Sequence, residues 1–368
     1  MAGTVIGAGI FGLPYAVAKV GWGMGLVYLL VLGVLTLVVN LCYGEVVLRT
    51  REKCQMSGYA QKYLGRSGKT LITISLTLGI YGGLLAYTIG VGNFLYITLG
   101  TIIGGSAMLY SLIFWLIASV AIFRGLGSIA WIELTTVGLL ICLAAGLGGI
   151  SLPFINLDNL LTFSAKELFF PFGVFLFALG GASAVPVMRE ILGRSKDIKS
   201  MFKANVWGLL IPILVYAVFI TFVLGVSGAD TTEQAIGGLA RVLGPGVLVA
   251  GSLFGIIVMT TSFLANGFVL RELYRQDYKL PAWVATLLAC GVPLLIFMLG
   301  LRDFVTVIGI SGGILGGFQG ILLVMMYYRA RKLGNRQPEY FIKLPALLAG
   351  LIYILFALGL LYQVFNLF

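Results

Sequence analysis

Apolar residues in this chain run in long blocks separated by short polar loops, with little of the alternation that marks half-buried strands. Eleven blocks stand out, over residues 2–20, 23–49, 70–99, 105–122, 129–150, 168–190, 204–226, 246–272, 282–300, 304–328 and 344–366. A helix needs roughly 20 apolar residues to cross the hydrocarbon of a bilayer. The pattern therefore predicts an all-α polytopic membrane protein with about eleven transmembrane helices. The second, third and eighth blocks are long enough to tilt or to extend beyond the lipid. Two polar stretches have helical character of their own. "SGYAQKYLGRSGK" (57–69) reads as an amphipathic helix lying on the membrane surface. "GADTTEQAIGGLARVLGPG" (228–246) holds a short helical pattern between spans seven and eight.

Two spans do not read as uninterrupted helices. The first contains "GTVIGAGIFGLPYA" (3–16), with four glycines and Pro14. The sixth contains "FGVFLFALGGASAVPVMREIL" (172–192), with Gly180, Gly181 and then Pro186. Glycine costs about 1 kcal/mol and proline about 3 kcal/mol relative to alanine inside a helix. A membrane accommodates unwound backbone only where protein or a water-filled cavity satisfies its polar groups. Spans one and six correspond if the first ten spans divide five and five, and paired interruptions of that kind mark transporter binding sites. Span ten carries a further glycine run, "GISGGILGGFQG" (309–320), which reads as close helix packing or a hinge.

Charge sets the topology. Of the 24 lysines and arginines, twenty fall on one side of the eleven-span arrangement and only Lys19, Lys166, Arg241 and Arg302 on the other. Positive residues stay cytoplasmic, so the expected arrangement is an integral plasma (inner) membrane protein with its N-terminus inside and its C-terminus outside. The net charge of +11 is thereby explained by loops flanking a bilayer, without a nucleic-acid partner. At 60% hydrophobic and 10% charged residues, with mean hydropathy +1.06, the composition excludes a soluble domain. There is no histidine, which excludes histidine triads, metal sites and proton relays. Four scattered cysteines show no metal-binding spacing. No span carries paired carboxylates. An enzyme is therefore not expected, nor a cofactor.

The two broken-helix motifs, with "YGEVVLRT" (43–50), "LLAYTIGVGNFL" (84–95) and "TTSFLANGF" (260–268), resemble amino acid permeases of the amino acid–polyamine–organocation superfamily. The likeness is greatest to the amino acid/auxin permeases and the hydroxy- and aromatic-amino-acid permeases. It implies a five-plus-five inverted repeat with one extra helix: residues 1–150, residues 151–328, and a loop with helix eleven over 329–368. It implies secondary active symport of an amino acid with a cation by alternating access. The alternatives are proton coupling or a non-transporting amino acid sensor. In such permeases about a dozen residues precede the first motif; here Met1 and Ala2 do, so the inner half of helix one is expected to be nearly absent.

Candidate residues follow. Ala8 and Gly9 in span one, and Gly180, Gly181 and Ser183 in span six, are backbone candidates for holding the substrate. Unwound amides suit a carboxylate. Tyr81 or Tyr87 is a candidate to close over the ligand, and Phe177 and Phe263 to line its side-chain pocket. No acid or base sits at either break, which favours a neutral amino acid, an aromatic one included. By resemblance, the carbonyls of Gly3, Ile6 and Val258 and the hydroxyls of Thr261 and Ser262 form a sodium site. Hard cations take oxygen ligands. Protons are the alternative coupling ion, with Glu45 and Glu133 as carriers. Glu45 stands four residues before Arg49, so an ion pair is its simpler role.

Overall fold

The computed structural model describes residues 1–125, 138, 142–194 and 197–365, and every regular element among them is helical. Among the described residues, seven helices are long and apolar enough to cross a membrane: α3 (Trp22–Leu48), α4 (Met56–Ile103), α5 (Ala107–Arg124), α9 (Met201–Ser227), α11 (Pro245–Asp277), the α13–α14 segment (Phe304–Leu333) and α15 (Ala346–Phe365). Shorter apolar helices are α2 (Gly9–Val20), α6 (Cys142–Phe154) and α12 (Ala282–Met298). The protein is integral to the membrane.

The first and sixth spans are broken. Span one is a single turn, α1 (Ala2–Val5), followed by extended backbone at Ile6 and then α2. Span six is α7 (Phe170–Ala178) and α8 (Ala184–Arg194), joined by non-helical residues 179–183. Span ten is continuous but not uniform: α13 (Phe304–Ile310) passes through a π-helical turn, Ser311–Gly316, into α14 (Gly317–Leu333). Such turns concentrate at functional sites. Of span five, 129–150, the structure describes only position 138 and the stretch from Cys142.

The two expected loop helices are present. Residues 56–64 form a separate helical segment at the start of α4, and the chain kinks at Gly65, φ +77° and ψ −166°, before span three. That backbone conformation is open to glycine at no steric penalty. Between spans seven and eight lies α10 (Ile236–Leu243).

Packing fixes the broken helices in place. α2 lies against α7 and α9, and α7 lies against α13 and the π turn. Phe11 of α2 meets Phe94 of α4 at 5.3 Å, Phe219 of α9 at 6.4 Å and Phe254 of α11 at 6.3 Å, the first two edge-on. Edge-on aromatic pairs contribute about 0.5–1.5 kcal/mol each beyond their burial. Spans six and ten approach backbone to backbone. A Cβ on Gly173 would stand 2.0 Å from the Gly309 carbonyl oxygen, and one on Gly312 would stand 2.0 Å from that of Gly173. Bare glycine is required at both positions, so the span-ten run does serve close packing.

The lysine- and arginine-rich face is knit by named contacts. Arg189 of α8 is buried and donates to the carbonyls of Thr50 (2.6 Å), Arg51 (3.1 Å) and Glu52 (2.9 Å), and to the Tyr59 hydroxyl (2.9 Å). Arg336 donates to the Leu48 carbonyl and to Glu339. These bonds tie the loop after α3, the loop after α14 and the basic-side half of span six into one unit.

Candidate substrate site between the broken helices

A cavity of about 170 Å³ opens where the two breaks meet. Span one contributes Gly7 and Gly9, and span six contributes Phe177, Gly180, Gly181 and Ser183. Span three adds Tyr87 and Ser75, and span eight adds Asn266. Among the described residues, no acidic or basic side chain lines the cavity.

Helix polarity supplies the charge complementarity. At each break a helix C-terminus, α1 or α7, faces the N-terminus of the next segment, α2 or α8. The first contributes carbonyls without intrahelical donors, and the second contributes amides without intrahelical acceptors. One side chain spans both breaks. The buried Tyr216 hydroxyl of α9 lies 2.9 Å from the Val5 carbonyl oxygen and 3.0 Å from that of Ala178, the last helical residues of α1 and α7. Its single proton is shared between them. The two breaks are thereby held at a common height.

The structure brings many, though not all, of the sequence-derived substrate candidates together. Gly9, Phe177, Gly180, Gly181, Ser183 and Tyr87 line the cavity. Ala8 is fully buried and outside the lining. Tyr81 is directed elsewhere: its hydroxyl pairs with that of Tyr274 at 2.5 Å. Phe263 is fully buried against Phe114, ring centroids 5.2 Å apart, and does not reach the cavity. A period-3.6 apolar span exposes aromatics on all faces, and only packing decides which face the cavity takes.

Of the oxygen set expected to hold a cation, one hydroxyl is placed against the first break. A Cβ on Gly7 would lie 3.3 Å from Ser262 Oγ and 3.4 Å from Tyr87 Oη, so the Ser262 hydroxyl sits directly against the break. Thr261 Oγ1 donates to the Val258 carbonyl at 2.9 Å, which leaves the threonine's lone pairs available. Asn266 Nδ2 donates to the Ser262 carbonyl at 3.0 Å. Gly3 lies within α1 and Ile6 is its C-cap.

Glu45 is fully buried and fully engaged. One carboxylate oxygen accepts from Arg49 Nε and the other from the Ile342 amide, both at 2.7 Å. It anchors the end of α3 to the segment before α15, away from the cavity. Glu133 lies outside the described residues.

Several lining residues carry no signal in the two motifs. Thr36 and Asn40 come from α3, and Ser311, Gly312 and Gln319 from span ten. Ser75 donates to the Leu315 carbonyl of the π turn at 2.9 Å, satisfying one group that the widened turn frees.

Two broken helices that meet at an uncharged cavity inside a bundle of membrane spans are the architecture of a membrane transporter. By its sequence the chain belongs to the tryptophan/tyrosine permease family, whose model matches residues 1–365. It is 26% identical over 366 residues to the tyrosine-specific transport system 1 of Haemophilus influenzae, covering 92% of this chain and 88% of that protein. Two solved structures share its fold. MhsT in complex with L-phenylalanine superposes with a TM-score of 0.70 at 16% identity, over 100% of this chain and 97% of that one. Mhp1, a nucleobase-cation-symport-1 family transporter in a closed conformation with bromovinylhydantoin bound, gives 0.61 at 14% identity, over 87% and 75%. The chain is thus an amino acid permease and not an enzyme, built as a five-plus-five inverted repeat with one additional helix.

Proposed function

We propose that this permease carries a neutral aromatic amino acid across the plasma (inner) membrane together with sodium, by alternating access. The observation that carries the reading is the cavity itself: two broken helices, opposed dipole ends and no charged side chain. A zwitterion needs one anion site and one cation site of modest strength, which unpaired amides and carbonyls supply without a permanent charge. The substrate carboxylate meets the amide end of α2 near Gly9, and its ammonium meets carbonyls freed around Gly180 and Gly181. A cavity of about 150 Å³ admits a benzene ring, so 170 Å³ is of the size for an aromatic side chain. Relatives named for tyrosine transport favour the same class.

Sodium sits between span one and span eight in this proposal, on Gly3, Ile6, Val258, Thr261 and Ser262. The engagement of Glu45 by Arg49 and the Ile342 amide favours sodium over a proton carried at that residue. We take the repeats to divide after residues 150 and 328, with the N-terminus cytoplasmic, the C-terminus outside, and the wider superfamily kinship carried by the span-one and span-six motifs.

Uptake into liposomes tests this, with labelled aromatic, aliphatic and charged amino acids and with sodium and proton gradients imposed separately. Sodium-driven uptake confined to neutral aromatic amino acids is expected. Uptake driven only by an inward proton gradient overturns the sodium assignment. Uptake of charged amino acids overturns the substrate class.

A further inference from the structure

The cavity does not end at the two breaks. Span three lines it from Tyr87 back to Ser75, and span ten lines it from Ser311 on to Leu323. Each stretch is roughly 18 Å of helix, at about 1.5 Å per residue. Both run from the breaks toward the lysine- and arginine-rich face, where span three begins and span ten ends.

On that face lies the helical segment 56–64. Met56, Tyr59, Ala60 and Tyr63 are buried, at the spacing of one helix face, and Gln61 and Lys62 are exposed on the other. The buried face rests on three spans. Tyr59 meets Tyr43 of α3 edge-on at 6.2 Å, and the Tyr63 hydroxyl pairs with that of Thr50 at 2.6 Å. The Tyr59 hydroxyl accepts from Arg189 of α8 at 2.9 Å. Gln319 of span ten, which lines the cavity, donates from Nε2 to Met56 Sδ at 2.8 Å. A thioether is a weak acceptor, so this contact is readily exchanged for water. The segment also has a pivot at each end. Residues 50–55 before it are not helical. Gly65 after it holds φ +77°, and a Cβ placed there would meet nothing within 4 Å.

We infer that segment 56–64 is a hinged lid on the basic-face end of the cavity, and that Gln319 is a gate residue which Met56 latches. This rests on the alternating access proposed above, with the basic face cytoplasmic. The contacts supply the linkage. The substrate settles at Gly180 and Gly181, just before α8. Arg189 of α8 grips Tyr59 and the carbonyls of Thr50, Arg51 and Glu52, so it holds both the lid and the pivot in front of it. A tilt of α8 therefore draws the lid with it and parts Met56 from Gln319. The glutamine side chain then leaves the passage between spans three and ten. Return of α8 restores the latch. Hinges of this kind are a few loop or element-terminal residues that absorb the change in backbone angle.

The test bridges the latch. In a Cys54→Ser background, Met56→Cys and Gln319→Cys are joined by a short bis-methanethiosulfonate, which reductant removes. Uptake into liposomes is followed with a labelled mixture of the common L-amino acids, sodium and proton gradients being imposed together, so the result is independent of which substrate or ion is carried. Bridging should nearly abolish uptake, reductant should restore it, and either single-cysteine variant treated alike should keep its uptake. In the Met56→Cys variant alone, alkylation of position 56 by a water-soluble maleimide, followed at the peptide level, should be several-fold faster with the amino acid mixture than without. That measurement decides if the double variant does not fold. A pair that does not bridge, parental uptake with the bridge in place, or an alkylation rate that the amino acids leave unchanged overturns the lid and leaves the proposed function standing. A parent that takes up none of the amino acids overturns the proposed function, and the lid with it.

Discussion

Gly9 of α2 presses its bare Cα onto Ala178 of α7: a side-chain carbon at position 9 would stand 2.6 Å from both Cα and Cβ of Ala178. This is where the two broken helices cross. The sequence alone assigns Gly9 to the ligand, so that a larger residue there would act by filling the site. The geometry gives it a second role, because the first atom to be displaced belongs to the backbone of span six. Gly9→Ala should lower the apparent melting temperature even without ligand, consistent with an overpacking penalty of about 1–3 kcal/mol. Gly7→Ala should differ. Its new methyl would first meet the hydroxyls of Ser262 and Tyr87, at 3.3 and 3.4 Å. Near-parental melting is expected there, with the proposed sodium dependence weakened. Equal melting losses in the two variants would contradict the distinction.

The shared hydroxyl of Tyr216 predicts a coupled defect. Tyr216→Phe leaves the carbonyls of Val5 and Ala178 buried without that donor, at about 1–3 kcal/mol. Both breaks lose their common anchor, so binding of the amino acid should weaken along with stability. Tyr340→Phe is the control. Its hydroxyl also donates to a helix carbonyl, that of Leu41 at 2.8 Å, but away from the cavity. It should cost stability and spare affinity. Similar affinity losses in the two variants would mean that general loosening, not the breaks, is being measured.

The breaks were legible because glycine and proline inside an apolar block conflict with a helix that must satisfy its own backbone, and Gly180 with Gly181 repeats the conflict of Gly7 with Gly9. The lining from α3 was not. Thr36 and Asn40 are single polar residues in an apolar run, and nothing local distinguishes them from Thr88 or Thr286, which bond to their own backbone. Only the tertiary arrangement leaves them unpartnered. Tyr81 and Phe263 illustrate the reverse: aromatic residues near a motif, turned by packing toward Tyr274 and Phe114. The span-ten glycines were legible as packing, which Gly312 on Gly173 bears out. The π turn that also carries Ser311 and Gly312 to the cavity follows from contacts with span six that no local pattern encodes.

Arg189 predicts how the basic-side half of span six is held. Its planar fork reaches three successive carbonyls and a tyrosine hydroxyl, a geometry that a lysine ammonium cannot reproduce. Cys54 in the same loop is a built-in reporter. It is half-buried, and burial foremost, with the Glu52 charge adding to it, pushes its thiol pKa up, while Lys62 and Arg189 oppose. Arg189→Lys keeps the opposing charge, so a change in thiol reactivity would report exposure and not titration. Alkylation of Cys54, followed at the peptide level by mass spectrometry, should be several-fold faster in the variant. An unchanged rate would show that the fork does not hold the loop against α8.

Glu233, in the loop before α10, predicts a pH dependence with a definite sign. Burial first, and then the charge and hydrogen bond of Asp303 at the start of α13, raise its pKa from 4.5 to about 7, against the opposing charge of Lys19. Between those two values the folded protein holds a proton that the unfolded chain releases. Stability from this group is therefore fully present below about pH 4.5 and is lost as pH rises through about 7. Above that the charged Glu233 carboxylate faces Asp303 at the start of α13, with Lys19 opposing. Glu233→Gln is neutral at every pH and keeps the hydrogen-bonding shape. Its apparent melting temperature should change less than that of the parent between about pH 5 and pH 8, and should exceed it at the alkaline end. Parallel pH profiles for parent and variant would show that Glu233 is already ionised at neutral pH.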